Sequence, residues 1–271
     1  MRIKSTNIKW LTICLAMTLV TACQSTSGTS SSGTHTDKQK VAQTRTALAG
    51  EYIRDNKLDA AQRQIEMALA ANSRHAPAYN MMGVLLQTEG SQPNLVKADG
   101  YFRRAIDIDP QLMQARNNYG VYLSQMGRHQ EAAAQFELAG GALGYEGRLA
   151  SLENLGKTYL VLGDTQKATD TFSRVLDSNS NSLTARVEMV SLLLAQGQTL
   201  RAKQLYDETV SLWGKADMPP RLLFQGIQIA IVSANATQRQ RLSQQLLSSY
   251  PLSDEAKRLK VWLANPTTTL R

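Results

Sequence analysis

The feature that most constrains this chain is a period. Large side chains recur at Ile65, Phe102, Phe136, Phe172, Tyr206 and Leu242, separated by 37, 34, 36, 34 and 36 residues. Four residues before each stand Ala61, Ala98, Ala132, Ala168, Ala202 and finally Gln238. A third series keeps the same step on the preceding segment: Ala49, Gly83, Gly120 and Gly156, with Val190 and Gly226 in the corresponding places. A unit of this length cannot bury its apolar face alone, so copies must stack to build a continuous core. Apolar residues spaced by three and four predict two amphipathic helices per unit. In "MQARNNYGVYLSQMGRHQEAAAQFELAGG" the Gly after Met126 is a helix stop between them.

Spacing and residue types resemble the tetratricopeptide repeat, a helix-turn-helix of about 34 residues. The resemblance implies an all-α fold: a right-handed superhelix of about six repeats near 42–75, 76–112, 113–146, 149–182, 183–216 and 219–252, within a domain over 38–265. In that family a small residue in helix A and an Ala in helix B permit close approach, and the aromatic fills the space between repeats. Departures from the period localise irregularities. Gly83 to Ala98 is 15 residues where Ala49 to Ala61 is 12, which predicts a longer loop at "EGSQPNLVK". Two further residues are added around "GGALGYEGR" and around "GKADMPPR". The sixth copy carries Gln238 and Gln245 in place of small residues, as a terminal repeat without a stacking partner tolerates. Beyond it, Ser253 followed by Asp254 and Glu255 predicts an N-capped final helix over 254–264, with 266–271 as a disordered tail.

The N-terminus has another organisation. Arg2, Lys4 and Lys9 precede an eleven-residue run of apolar or small residues from Trp10 to Val20, the order of a secretory signal. A bilayer span needs about 20 apolar residues, so this run is too short for one. It ends in Val20-Thr21-Ala22-Cys23, which resembles the bacterial lipobox. With only two cysteines, Cys14 and Cys23, no disulfide framework or thiolate metal site is available. The lipobox resemblance implies removal of residues 1–22 and acylation of Cys23, giving an anchored and not a spanning protein. Eleven of the thirteen residues from Gln24 to Thr36 are Ser, Thr or Gly. Residues 23–37 are therefore expected to be a flexible linker, reaching roughly 20 Å. Gln24, rather than Asp, after the Cys implies by resemblance the periplasmic face of an outer membrane. Losing Arg2, Lys4 and Lys9 with the signal lowers the formal charge from +8 to +5. No Lys/Arg run of the kind that binds nucleic acid remains.

Motifs for catalysis are missing. His35, His75 and His129 make no metal-ligand spacing with Cys, Asp or Glu, and no G-x-S-x-G elbow or phosphate loop occurs. The expectation is a non-enzyme without cofactor, apart from the covalent lipid, and without a small-molecule substrate. Stacked helix pairs instead make an extended concave surface suited to a protein partner. In the tetratricopeptide family four positions of helix A line that groove. Here they are Gln43, Thr46, Gly50 and Ile53; Pro77, Asn80, Val84 and Gln87; Gln114, Asn117, Val121 and Ser124; with Ala150, Glu153, Lys157 and Leu160 in the next copy. This lining mixes amides with aliphatic side chains and lacks the Lys/Arg set of a carboxylate clamp. An extended or helical peptide with apolar anchors suits it.

The segments "ARNNYGVYLSQMGRHQEAAAQF", "LENLGKTYLVLGDTQKATDTFSRVL", "RLLFQGIQIAIVSAN" and "LLSSYPLSDE" narrow the resemblance. With Asn117-Asn118-Tyr119-Gly120, Glu153 to Gly156 and Tyr250-Pro251, the chain is similar to the type IV pilus biogenesis pilotins of the PilF/PilW family over about 38–260. "VYLSQMG" and Thr158 depart from that pattern at positions that touch helix packing more than the groove. The resemblance implies an outer-membrane lipoprotein that binds the secretin subunit of the type IV pilus and promotes its localisation and multimerisation, for pilus assembly and twitching motility. The other function compatible with such a scaffold is an adaptor for peptidoglycan enzymes or for outer-membrane barrel assembly.

Overall fold

Each apolar stripe must be buried against a neighbouring helix, and a computed structural model shows how the stripes pair. It describes residues 31–214, 217–266 and 270, and of 31–35 only the helical backbone. The stretch expected to be a signal peptide, 1–22, and Cys23 lie outside the described residues. Thirteen α-helices and no strand occur among the described residues. Six antiparallel pairs form: α1 (Ser31–Arg54) with α2 (Leu58–Ala71), α3 (Ala76–Glu89) with α4 (Gln92–Ile108), α5 (Met113–Gln125) with α6 (His129–Gly141), α7 (Arg148–Val161) with α8 (Thr165–Ser178), α9 (Leu183–Ala195) with α10 (Thr199–Trp213), and α11 (Pro220–Val232) with α12 (Ala236–Ser249). Each pair packs on the next, and α13 (Asp254–Ala264) closes the stack against α11 and α12. This is the all-α tetratricopeptide superhelix that the period implied.

The three landmark series are its packing code. Ile65, Phe102, Phe136, Phe172, Tyr206 and Leu242 are all buried, and Ala61, Ala98, Ala132, Ala168 and Ala202 are fully enclosed. A Cβ on Gly120 would lie 2.6 Å from Phe136 Cε1, on Gly83 2.8 Å from Phe102 Cε1, and on Gly156 2.6 Å from Phe172 Cζ. So the small residue of helix A is vacated for the ring on helix B of its own repeat. In the first repeat Ile65 is shorter than Phe, and Ala49 fits in place of Gly. In the fifth, Val190 fills the small position, and the Tyr206 ring points its hydroxyl at Gly226 of the following repeat.

The irregularities sort into two kinds. The expected longer loop at "EGSQPNLVK" is not there: only Gly90 and Ser91 separate α3 from α4, and the extra residues lengthen α4 to 17, against 14 in α2. Pro93 sits in its first turn, where a missing N–H costs no helical bond, and the Tyr122 hydroxyl donates to the Leu95 carbonyl at 2.8 Å. The other two insertions do lengthen connections, to six residues at 142–147 and 214–219 against four at 109–112 and 179–182. Helix α13 has the expected bounds, and Ser253 Oγ accepts from the Ala256 N–H.

Both ends differ from expectation. Helix α1 begins at Ser31, inside the stretch read as linker; once its packed part exists, each added residue gains a hydrogen bond without a new nucleation cost. Leu270, read as part of a disordered tail, is buried, and Gln228 Nε2 donates to its carbonyl at 3.0 Å. Among the described residues no helix is long and apolar enough to cross a membrane.

Candidate partner-binding groove

Helices α1, α3, α5, α7, α9, α11 and α13 are the first helices of their units, and their inner faces form the concave side. Short polar side chains there meet from one repeat to the next. Asn118 Nδ2 donates to Asn80 Oδ1 at 3.2 Å, and Gln87 Nε2 to Gln125 Oε1 at 2.8 Å. Ser151 Oγ donates to Asn117 Oδ1 at 2.9 Å, and Ser182 Oγ to Glu153 Oε1 at 2.6 Å. Gln225 Nε2 donates to the Val187 carbonyl at 2.7 Å and to Ser191 Oγ at 2.8 Å. Arg221 pairs with Glu188 in the same relation. These bonds join first helices of successive units, through the Ser182 N-cap in the case of α9, so much of the amide lining holds inter-repeat register.

That network divides the expected groove residues. Gln43, exposed, and Thr46 border a hollow of about 650 Å³ between α1 and α3, together with Pro77, Met81 and His75. Val84, Gln87 and Val121 border a second hollow of about 380 Å³ between α3 and α5, with Asn118 and Gln125. The remaining five serve packing or the network. Gly50 is buried under the Met81 methyl, where a Cβ would stand 3.4 Å away, and Ile53 packs against the Ile65 cluster. Asn80 is buried and spent on Asn118, and Asn117 accepts from Ser151. Gln114 donates to Asn118 Oδ1 at 2.9 Å and accepts from the Tyr145 hydroxyl at 3.0 Å. For Gly50 and Asn80 this corrects the sequence reading: successive first helices approach so closely that an inward position becomes a helix contact instead of open lining.

His75, without a role in the sequence reading, is the buried ionisable group of the first hollow. Asn72 Nδ2 donates to Gln39 Oε1 at 2.5 Å, which turns Gln39 Nε2 toward His75 Nδ1 at 3.5 Å. The proton of the neutral ring then belongs on Nε2, and that atom is buried without a hydrogen-bond partner among the described residues. Desolvation holds the His75 pKa below its ordinary value of 6.5. A second network was also illegible in the sequence. Asp99 on α4 accepts from the Tyr119 hydroxyl at 3.0 Å and pairs with Arg103 at 2.8 Å and Arg128 at 2.6 Å, tying the second repeat to the third. No group of three or more His, Cys, Asp or Glu able to hold a metal ion occurs among the described residues.

No protein-family model matches the chain. It is 29% identical over 204 residues to the type IV pilus assembly protein PilF of Pseudomonas aeruginosa, covering 75% of this chain and 79% of that protein. The solved structure of Pseudomonas aeruginosa PilF superposes with a TM-score of 0.75 at 25% identity, over 83% of this chain and 99% of that one. The chain is a tetratricopeptide-repeat protein similar to PilF in sequence and fold. The fold also matches PilW, described as a widely conserved type IV pilus biogenesis factor, with a TM-score of 0.68 at 24% identity over 81% of this chain and 98% of that one. It matches YrrB, described as a TPR protein with an unusual peptide-binding site, at 0.57 and 18% identity over 73% of this chain and 97% of that one. In this PilF-like chain Asn117, Asn118, Tyr119 and Gly120 have separable physical duties. The two amides bridge to neighbouring repeats, Tyr119 reaches Asp99, and Gly120 admits Phe136.

Proposed function

We propose that this chain serves type IV pilus biogenesis as a pilotin-type lipoprotein that acts by binding and not by catalysis. Acylated at Cys23 and held at the periplasmic face of the outer membrane, it binds the secretin subunit of the pilus and promotes secretin localisation and multimerisation. The observation that carries the reading is the likeness to PilF, in sequence over 79% of that protein and in architecture over 99% of its solved chain. The concave side supports it with two neighbouring hollows that mix aliphatic side chains with amides, bordered by Gln43, Thr46, Val84, Gln87 and Val121. An extended segment with apolar side chains and free backbone amides complements such a lining. The anchor acts by concentrating captured subunits at one membrane surface, without adding contacts.

Deleting the gene should abolish detergent-resistant secretin multimers and twitching motility; normal multimers in the deletion strain would overturn the proposal. Replacing Cys23 with Ala should leave a folded repeat domain that no longer fractionates with the outer membrane. A Cys23→Ala protein that still fractionates there would refute the anchor.

A further inference from the structure

At the opposite end of the concave side lies a larger channel, of about 1000 Å³, walled by α9, α11 and α13. It is separate from the two hollows near α1, α3 and α5 and carries none of the ten groove residues expected from sequence. Its apolar wall includes Phe224 and Trp262, both buried, and the Arg258 guanidinium lies 4.5 Å above the Phe224 ring at the rim.

Two features of the channel bear on what it holds. First, a piece of this chain already lies in it: the Leu270 side chain is 8% exposed within the C-terminal core, and its carbonyl accepts from Gln228 Nε2 at 3.0 Å. Second, Gln225 on the channel wall is 1% exposed and has an acceptor left over. Its Nε2 donates to the Val187 carbonyl, which can only accept, so the amide orientation is fixed. Gln225 Oε1 is thereby left buried without a partner among the described residues. A buried acceptor of this kind is normally satisfied, and a backbone N–H is the donor that every non-proline residue of an incoming polypeptide carries.

We propose that this channel is a binding site for an extended polypeptide segment carrying a leucine-class side chain, and that the Leu270 segment of this chain holds the anchor position until such a segment displaces it. Gln228 reads a backbone carbonyl, Gln225 Oε1 awaits a backbone N–H, and the Phe224 and Trp262 wall takes the aliphatic anchor. Because the resident segment is covalently attached, its effective concentration is high and it lowers the apparent affinity for any incoming segment. The inference does not depend on the pilotin reading, since it rests on residues of the last two repeats, α13 and Leu270.

The test uses the full chain and a labelled peptide with the sequence of residues 264–271. The Leu270→Asp chain, with its own anchor disabled, should bind the peptide saturably and roughly tenfold or more tightly than the unaltered chain does. The same peptide carrying Leu270→Asp should not bind, and adding Gln228→Ala to the Leu270→Asp chain should weaken binding severalfold. Circular dichroism confirms that each chain keeps its helices, and Leu270→Ala replaces Leu270→Asp if the charged variant does not. Absence of saturable binding by a helical Leu270-substituted chain, or equal affinity of that chain and the unaltered one, overturns the proposal.

Discussion

Gly120 and Gly100 are both helical glycines, yet they answer to opposite physics. A methyl group at Gly120 would collide with the buried Phe136 ring at 2.6 Å, whereas one at Gly100 meets nothing within 4 Å. Gly120→Ala should therefore destabilise by about 1–3 kcal/mol through overpacking, and Gly100→Ala should stabilise by roughly 0.5–1 kcal/mol by restricting the unfolded chain. Urea unfolding of the two variants checks both signs. His75 supplies a pH dependence whose direction follows from burial. Its native pKa is lowered from 6.5, so below that pH the unfolded chain takes up a proton that the native chain resists. The contribution is complete above pH 6.5 and is lost as pH falls toward the lowered native value. Unfolding midpoints measured from pH 7.5 to 5 should fall less steeply for His75→Gln than for the parent. The period marked Gly120 without ambiguity. It was silent on His75, whose burial depends on how Gln39 and Asn72 close over it from elsewhere in the repeat.

At the scale of elements, helix existence was legible and the fate of an insertion was not. The period locates three extra residues between Gly83 and Ala98, and Gly90 with Pro93 suggests a loop. In the folded protein they add nearly one turn to α4, because Pro93 falls in the first turn and the Tyr122 hydroxyl, from the next repeat, captures the Leu95 carbonyl. Tyr122→Phe removes that buried bond and should cost about 0.5–1.5 kcal/mol. Amide exchange should quicken in residues 94–98 ahead of the rest of α4; unchanged protection there would show that the turn does not need the tyrosine. Helix α13, by contrast, carries its own start signal in Ser253, Asp254 and Glu255, and its bounds were readable for that reason.

For the whole molecule, each unit touches mainly its neighbours, so stability is close to a sum of local and nearest-neighbour parts. Leu242 is the buried landmark of the last pair, packed with Leu246, Leu259 and Trp262 in a cluster distinct from the one around Ile65. Leu242→Ala should remove about 2–5 kcal/mol from α11 to α13. Hydrogen exchange in α1 to α4 should stay as in the parent, and a uniform loss of protection along the stack would contradict this one-dimensional behaviour. The concave side belongs to the same scale. Five of the ten expected groove residues border its hollows, and the others are spent on packing or on bonds between repeats.

The sequence by itself determined the repeat, the number of helix pairs, the pairing of small with large residues, the cap of α13 and the likeness to the pilotin family. All of these are written in spacing and local composition, because an apolar stripe of fixed period has few ways to be buried. Only the tertiary structure decided which polar side chains of the first helices border an open hollow and which are buried against the next repeat. Asn80 and Gln87 lie on the same helix, but one is buried against Asn118 while the other borders an open hollow. That distinction depends on the distance and rotation between stacked units, which a period along the chain does not encode. The same holds at the C-terminus, where Leu270 looks like tail in the sequence and is core in the fold, since the channel that receives it is assembled from α9, α11 and α13 together.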